Sequence, residues 1–461
     1  MDRLAHLGAG MRAAVVGGGW AGLAAAVELA QAGFRVTVFE ASRQLGGRAR
    51  SVELHGHRLD NGQHILVGAY HETLRLMRTV GADPERLLRR LPLELRFPGS
   101  LPRPFRLRLP QLPPPLHLAA GLLAAAGPTL SEKLAAARFL RALQRKGYRV
   151  PESDSVAELL DRHGQRGALR SHLWEALCLA ALNTPPAAAS ARIFANTLRD
   201  SLGSGRAATD LLLPAADLDQ LLPAAAATFI RRHGGEIRNG CRIRRIEAGP
   251  AVLGEAFDCA VLAVAAQHAP ALLAGHRATA ELAQTLADYR FEPIATAYLG
   301  FPPQVSLPLP MLGLAARTST DVGQWVFDRG ALCGTAGILA FVLSAHGPWQ
   351  ELDNATLTAR LAGQLAATLR RSLPPVLWQQ VIREQRATFS CRPGLARPGA
   401  RTALAGWWLA GDHACADYPA TLEAAVRSGV AAAREIRASL PAGRHACACA
   451  ASSGPQSPRR G

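Results

Sequence analysis

Three glycines, a glutamate and an arginine near the start of the chain have the types and spacing needed to hold a dinucleotide. Gly17, Gly19 and Gly22 form a Gly-x-Gly-x-x-Gly series within VVGGGWAGLAAAVELAQAGFRVTVFEAS. Gly17 suits a tight turn, Gly19 lets a pyrophosphate approach the backbone, and Gly22 lets a helix pack closely on a strand. The helix that follows, starting at Ala21 just after Trp20, would aim free N–H groups and about half a positive charge at the phosphates. Glu40 ends the next strand and is followed by Ala41. A carboxylate there suits the adenosine ribose hydroxyls and repels the extra phosphate of NADP. Gly46-Gly47-Arg48 supplies a second pyrophosphate contact, with Arg48 as counter-charge.

Glu40 followed by Gly46-Gly47-Arg48, together with WWLAGDHACADYPATLEAAVRSG near the C-terminus, resembles the amine oxidase and phytoene desaturase superfamily of FAD-dependent oxidoreductases. The resemblance implies FAD as cofactor, with Gly411 and Asp412 on its ribitol and phosphate side. It also implies a last helix whose N-terminus, at Tyr418, Pro419, Ala420, Thr421 and Leu422, points at the flavin. Such a dipole favours the anionic reduced ring by about 0.3–1 kcal/mol when exposed. A finer likeness, to the hydroxysqualene dehydroxylases (squalene-associated FAD-dependent desaturases), runs from Arg12 to about Ser439. It rests on LDNGQHILVGAYHETLRLMRTVG, LCLAALNTPPAAASARIFANTLRDSL and DYPATLEAAVRSG. Cys415 stands where a small or hydroxyl residue is expected, and reads as a free thiol.

The chemistry this likeness implies is reductive. An allylic hydroxyl leaves as water after protonation, hydride from flavin N5 takes its place, and a dry apolar tunnel keeps water from recapturing the cation. His64, in Asp60-Asn61-Gly62-Gln63-His64, is the first candidate acid, because imidazole titrates near neutral pH. Tyr418 is the second. His64 reads equally as a loop residue hydrogen-bonded to a carbonyl beside the flavin. Gly62 and Gln63 are expected at the ring or its edge, and Asp60 as a cap or turn. Asn183 and Thr184 precede two prolines, so a turn is preferred there over a substrate contact. No lysine lies in the later half of the chain, where many amine oxidases place one near N5. Gly203-x-Gly205 follows a helical stretch and reads as a loop, so reducing equivalents are expected from a partner reductase or a transient donor. Electron direction is not written in these residues. An oxidative desaturase of the carotenoid type and a non-catalytic FAD-binding scaffold therefore stand as alternatives.

The elements that must position these groups give an α/β fold. A discontinuous Rossmann-type FAD-binding domain is expected from 11–95, 214–275 and 386–440. An α+β substrate domain is expected from 96–213, mostly helical, and 276–385. Strands are expected at 12–17, 35–40, 236–239, 241–247, 258–264 and 407–410, and helices at 21–32, 217–233 and 420–439. Residues 1–10 read as a loose extension and 441–461 as a disordered tail. Hydrophobic residues make up 49% and charged residues 19% of the 461, which excludes a mostly disordered or fibrous chain.

Net charge is +17, and only Lys133 and Lys146 are lysines, the remaining basic residues being arginine. There is no dense basic helix and no interleaved aromatic stripe, so nucleic acid is not an expected partner. A hydrophobic isoprenoid substrate is, and with it a weak attraction to an anionic membrane surface, since each buried CH₂ is worth about 0.8 kcal/mol. The stretch from Arg96 to Leu123 reads either as a lipid-docking surface or as a proline-rich connection between domains. The eight scattered cysteines show no C-x-x-C pair and read as reduced thiols. That places the chain in the cytoplasm, with the inner face of the cytoplasmic membrane as the site of any lipid contact. No metal site is expected.

Overall fold

The computed structural model describes residue 8 and residues 10–440. The expectations for the tail at 441–461, with Cys447 and Cys449, and for most of the N-terminal extension lie outside the described residues. Arg12–Val16 is apolar after its first residue and forms a strand buried between neighbours on both sides. It is the centre of a five-stranded sheet ordered Glu236–Arg238, Arg35–Phe39, Arg12–Val16, Cys259–Leu262 and Trp407–Leu409, with every neighbouring pair parallel. The chain leaves the central strand toward one edge and later fills the other. Strand order therefore reverses at Arg12–Val16, and a crevice opens beyond its C-terminal end.

Helix Trp20–Gln31 starts in that crevice, and every residue from Trp20 to Ala30 is buried. The last helix, Leu422–Ser439, covers it through small residues. A Cβ at Gly429 would lie 2.1 Å from the Ala21 carbonyl oxygen and 2.9 Å from the Ala24 methyl. The helices can therefore meet this closely only with glycine at 429.

The second half is an antiparallel sheet ordered Met311–Gly313, Trp325–Asp328, Ile338–Ser344, Phe291–Gly300 and Trp378–Phe389. Side chains alternate across it. Ala295, Ala297 and Leu299 share a core with Leu357, Leu361 and Leu365 of helix Asn354–Leu369. Tyr298 belongs instead to the core facing the nucleotide-binding half. A helical layer begins at Leu116–Ala124 and continues through Leu130–Arg145, Val156–Arg162, Ala176–Leu182 and Ala191–Leu198. Thr129, Ser155 and Ser190 cap three of these helices, Ser155 in a capping box with Glu158.

One expectation fails for a local reason. Residues 241–247 form no ladder: only Gly240 N–H and Cys241 N–H bond outward, to Ser42 and Glu40 carbonyls, so the alternating pattern lies extended but unpaired. The proline-rich stretch holds a hairpin, Glu94–Phe97 against Phe105–Arg108. Pro98, Pro102 and Pro104 all fall in its connection, where no ladder N–H is required. Among the described residues, no helix is long and apolar enough to cross a membrane.

Replacing Gly429 with Val should force the two helices apart. Thermal or urea unfolding is expected to show a loss of about 1–3 kcal/mol, and Gly429→Ala should fall between that variant and the parent.

Candidate active site

The crevice is lined first by the glycine turn. Gly17 adopts φ 114°, and a Cβ there would sit 2.5 Å from the Ala263 carbonyl oxygen. At Gly22 a Cβ would meet the Gly17 oxygen at 1.9 Å, so the helix start lies directly on the turn. Glu40 braces this turn: Oε2 accepts from Gly18 N–H at 2.6 Å and Oε1 from Ser42 N–H at 2.7 Å. Each oxygen retains a lone pair for a further donor. Ala41, next along, is exposed. Gly19 bridges to Gly46, Gly46 N–H donates to the Gly18 carbonyl at 2.9 Å, and Trp20 Nε1 donates to the Ala49 carbonyl at 3.2 Å. The two glycine turns thus form one cradle, with Gly47 at φ 62°.

Arg48 extends from that cradle to the other end of the chain. It donates to Asp412 Oδ2 at 2.7 Å and to the Ala387 carbonyl. Burial alone would push the Asp412 carboxyl up, but the Arg48 guanidinium and the His413 contact outweigh it and hold the carboxyl well below its usual range. Gly411 precedes it at φ 153°, under the His413 ring, and Gly411 N–H donates to Ser428 Oγ at 2.9 Å.

Arg397, which no motif singled out, fastens the loop that follows. It donates to the carbonyls of Asp412 (2.7 Å), His413 (3.0 Å), Cys415 (2.6 Å) and Tyr418 (3.2 Å). Its guanidinium lies 4.1 Å from the Phe389 ring centroid. Pro419 is buried, Ala420 half-buried, and Thr421 caps the helix beginning at Leu422 by accepting from Ala424 N–H. Burial pushes the Cys415 thiol up, so it is not a ready thiolate.

A second cluster joins the two halves. Asp60 and Arg329 form an ion pair at 3.2 Å with side chains 0% and 1% exposed. Asp60 also accepts from Leu218 N–H at 3.0 Å, and its carbonyl accepts from Tyr298 Oη at 2.9 Å. Burial pushes its carboxyl up, with Arg329 pulling it back. Arg329 donates further to Gln63 Oε1 at 3.3 Å, and Gln63 Nε2 donates to the His64 carbonyl. Gln63 is therefore turned toward Arg329, and Asp60 is an interdomain anchor rather than a simple loop cap. His64 Nδ1 donates to the Gly62 carbonyl at 2.7 Å, which leaves Nε2 as the available nitrogen. Burial lowers the His64 pKa from its ordinary 6.5, against a smaller upward pull from the Gly62 hydrogen bond and Asp60.

A family model described as flavin containing amine oxidoreductase matches residues 20–437. The chain belongs to that family. The chain is 30% identical over 456 residues to a hydroxysqualene dehydroxylase of Rhodopseudomonas palustris, covering 93% of this chain and 98% of that one. It is 27% identical to one of Sinorhizobium fredii, covering 91% and 96%. An oxidoreductase of Methanosarcina mazei has the same fold: TM-score 0.69 at 15% identity, covering 91% of this chain and 99% of that one. The protein is a FAD-dependent oxidoreductase.

The residues present fit the cofactor. The cradle of Gly17, Gly19, Gly22, Gly46 and Gly47 is one that Cβ atoms would obstruct at Gly17, Gly22 and Gly46. Beside it lie an arginine, a carboxylate with unused lone pairs, and the fully buried His413, whose ring nitrogens make no hydrogen bond. Tyr418 stands apart from His64: its hydroxyl accepts from Arg427 at 3.4 Å and its ring lies 4.1 Å beneath that guanidinium. Burial pushes this phenol up. Asn183 and Thr184 form a buried turn, Asn183 at φ 45°, with bonds to Thr388 Oγ1 and Ala345 N–H that tie the helical layer to the sheet.

Removing the Arg397 clamp should release cofactor without unfolding the sheet. Arg397→Ala is expected to lower FAD affinity about tenfold or more, read by flavin fluorescence on dilution. Arg329→Met should instead strand the buried Asp60 charge and cost about 3–5 kcal/mol of stability in denaturant titration. Pairing it with Asp60→Leu should recover most of that loss.

Proposed function

We propose that the protein replaces the allylic hydroxyl of a hydroxysqualene-type alcohol with hydrogen, giving squalene and water. The full-length likeness to the hydroxysqualene dehydroxylases carries this reading. In this reaction a C–O bond breaks, a C–H bond forms, and the oxygen leaves as water with one added proton. Bound FAD, in its reduced form, supplies the hydride. The chain holds it through the glycine cradle, Glu40, Arg48, Asp412 and the helix starting at Leu422.

The other tasks fall to the protein. His64 presents Nε2 from a loop fixed by its own Gly62 bond and by Gln63 and Arg329. With Nδ1–H donated to a carbonyl, neutral His64 offers only a lone pair at Nε2 and can orient a substrate hydroxyl as acceptor. It delivers a proton only as imidazolium, and burial makes that form scarcer. Acid catalysis through His64 is therefore present below its folded pKa and lost as pH rises through it. Electrons arrive from a separate donor, a reductase or a transiently bound nicotinamide, because Gly203-x-Gly205 follows helical turns rather than a strand.

The test is anaerobic. Photoreduced protein mixed with hydroxysqualene in detergent should yield one squalene per flavin as the flavin reoxidises. A flavin that stays reduced with that alcohol, but is bleached in its oxidised form by squalene or phytoene, would replace this reading with a desaturase. Turnover should rise on acidification between about pH 7 and 5, with a midpoint below 6.5. His64→Ala should flatten that limb; wild-type turnover and profile in this variant would remove His64 as the acid.

A further inference from the structure

Of the eight large hydrophobic side chains exposed among the described residues, six are Leu101, Leu112, Leu116, Leu123, Leu130 and Leu134. Leu101 is 72% exposed, and Leu123 and Leu130 are each 65% exposed, which is unusual for leucines this near one another. Apart from Leu112, in the segment between the hairpin and the first helix, they sit on three pieces of chain that touch. The connection of the hairpin Glu94–Phe97/Phe105–Arg108 carries Leu101. Arg106 and Ala126 exchange backbone hydrogen bonds, so the end of helix Leu116–Ala124 lies along the hairpin. Gly127 abuts the Pro104 carbonyl, and Lys133 Nζ reaches the Leu123 carbonyl at 2.7 Å, bringing in helix Leu130–Arg145. Leu116, Ala119 and Leu123 are exposed along the first helix; Leu130, Leu134, Ala137, Arg138 and Arg141 are exposed along the second, at spacings that share one face.

The charge around this face is predominantly positive, with Glu132 the one carboxylate of helix Leu130–Arg145. No Asp or Glu occurs between Glu94 and Glu132. Arg106 and Arg108 share the single carboxylate of Glu94, while Arg103, Arg138 and Arg141 have no ion-pair partner among the described residues. Below the surface, Phe97, Phe105, His172 and Trp325 stack together, with Phe97 and Trp325 centroids 5.1 Å apart. That cluster seats the hairpin on the edge of the substrate sheet, so the leucines are outer parts of a rigid support.

We infer that this face docks on an anionic lipid bilayer, inserting the leucines among the acyl chains while Arg103, Arg138 and Arg141 meet the headgroups. Exposed leucines rimmed by arginine, with no carboxylate between Glu94 and Glu132, are complementary to such a surface. A second copy packed on the same face would set arginine against arginine and is the poorer occupant. The purpose of docking rests on the isoprenoid reading, since a long hydrocarbon resides in the bilayer; the docking itself needs no substrate.

The experiment is flotation of the FAD-bound protein with vesicles of phosphatidylcholine alone or with phosphatidylglycerol, in the absence of substrate. Binding to the anionic vesicles only, weakened by added salt, is expected. Leu123→Glu with Leu130→Glu should reduce it at least tenfold, and Arg103→Ala about fivefold, with flavin absorbance and turnover in detergent unchanged. Failure to float with anionic vesicles, or binding unaffected by both leucine changes, overturns the inference. A parent dimer that ignores vesicles and that the leucine changes split into monomers also overturns it, and assigns the face to self-association. Vesicle binding that survives without dehydroxylase turnover upholds the docking and overturns only the proposed reaction.

Discussion

The Arg48–Asp412 ion pair spans 364 residues of sequence, and the site depends on it. It places a residue from the glycine turn that follows the second strand, Arg35–Phe39, against one that follows the last. The parallel sheet makes this meeting geometrically available, because both turns rise from its C-terminal edge, on either side of the point where strand order reverses. Asp412 is nearly inaccessible and Arg48 about one-third exposed, so the pair is partly screened. Its importance lies in closure more than in net stability. Arg397 completes that closure from the opposite side by gathering four carbonyls that would otherwise point in different directions.

The Asp60–Arg329 pair acts on a different boundary. It is almost wholly excluded from water, and a buried pair of this kind adds little over an apolar replacement of equal volume. What it does is directional. Arg329 begins a short helix after a strand of the substrate sheet, and Asp60 ends a strand of the hairpin Ser51–Leu54/His57–Asp60. Gln63 hangs from the same guanidinium, so the loop bearing His64 is registered to the substrate sheet as well as to the cofactor side. Tyr298 reaches the same point from the face of that sheet opposite its covering helix.

Wherever function demands unusual backbone, the sequence is easily read. Glycines at 17, 22, 46 and 47 sit where side chains would collide or the turn requires φ > 0, so their spacing already marks the crevice and the helix that rises from it. The last strand and helix are legible for the same reason. Arg397 and Arg329 are not, because in a chain whose basic residues are nearly all arginine another arginine carries no signal. Their partners are backbone carbonyls and a carboxylate hundreds of residues away, fixed only by the tertiary fold. The alternation at 241–247 suggests a strand, but a ladder needs a neighbour with free backbone groups, and none pairs with it. The hairpin at 94–108 is hidden by prolines that interrupt its connection and spare its strands.

The order in which the sheet is assembled has a biosynthetic consequence. Strand Trp407–Leu409 pairs with Cys259–Leu262, and helix Leu422–Ser439 covers the first helix of the chain. During synthesis, the opening β-α-β unit therefore emerges long before the pieces that enclose it. Until the final strand and helix leave the ribosome, the apolar flank of Trp20–Gln31 lacks its cover, and Arg48 has no Asp412 to meet. The nucleotide can in this sense be gripped only once the chain has been made through helix Leu422–Ser439. A ribosome stalled before the codons for Asp412 and helix Leu422–Ser439 would leave a nascent chain with its glycine signature intact and no flavin.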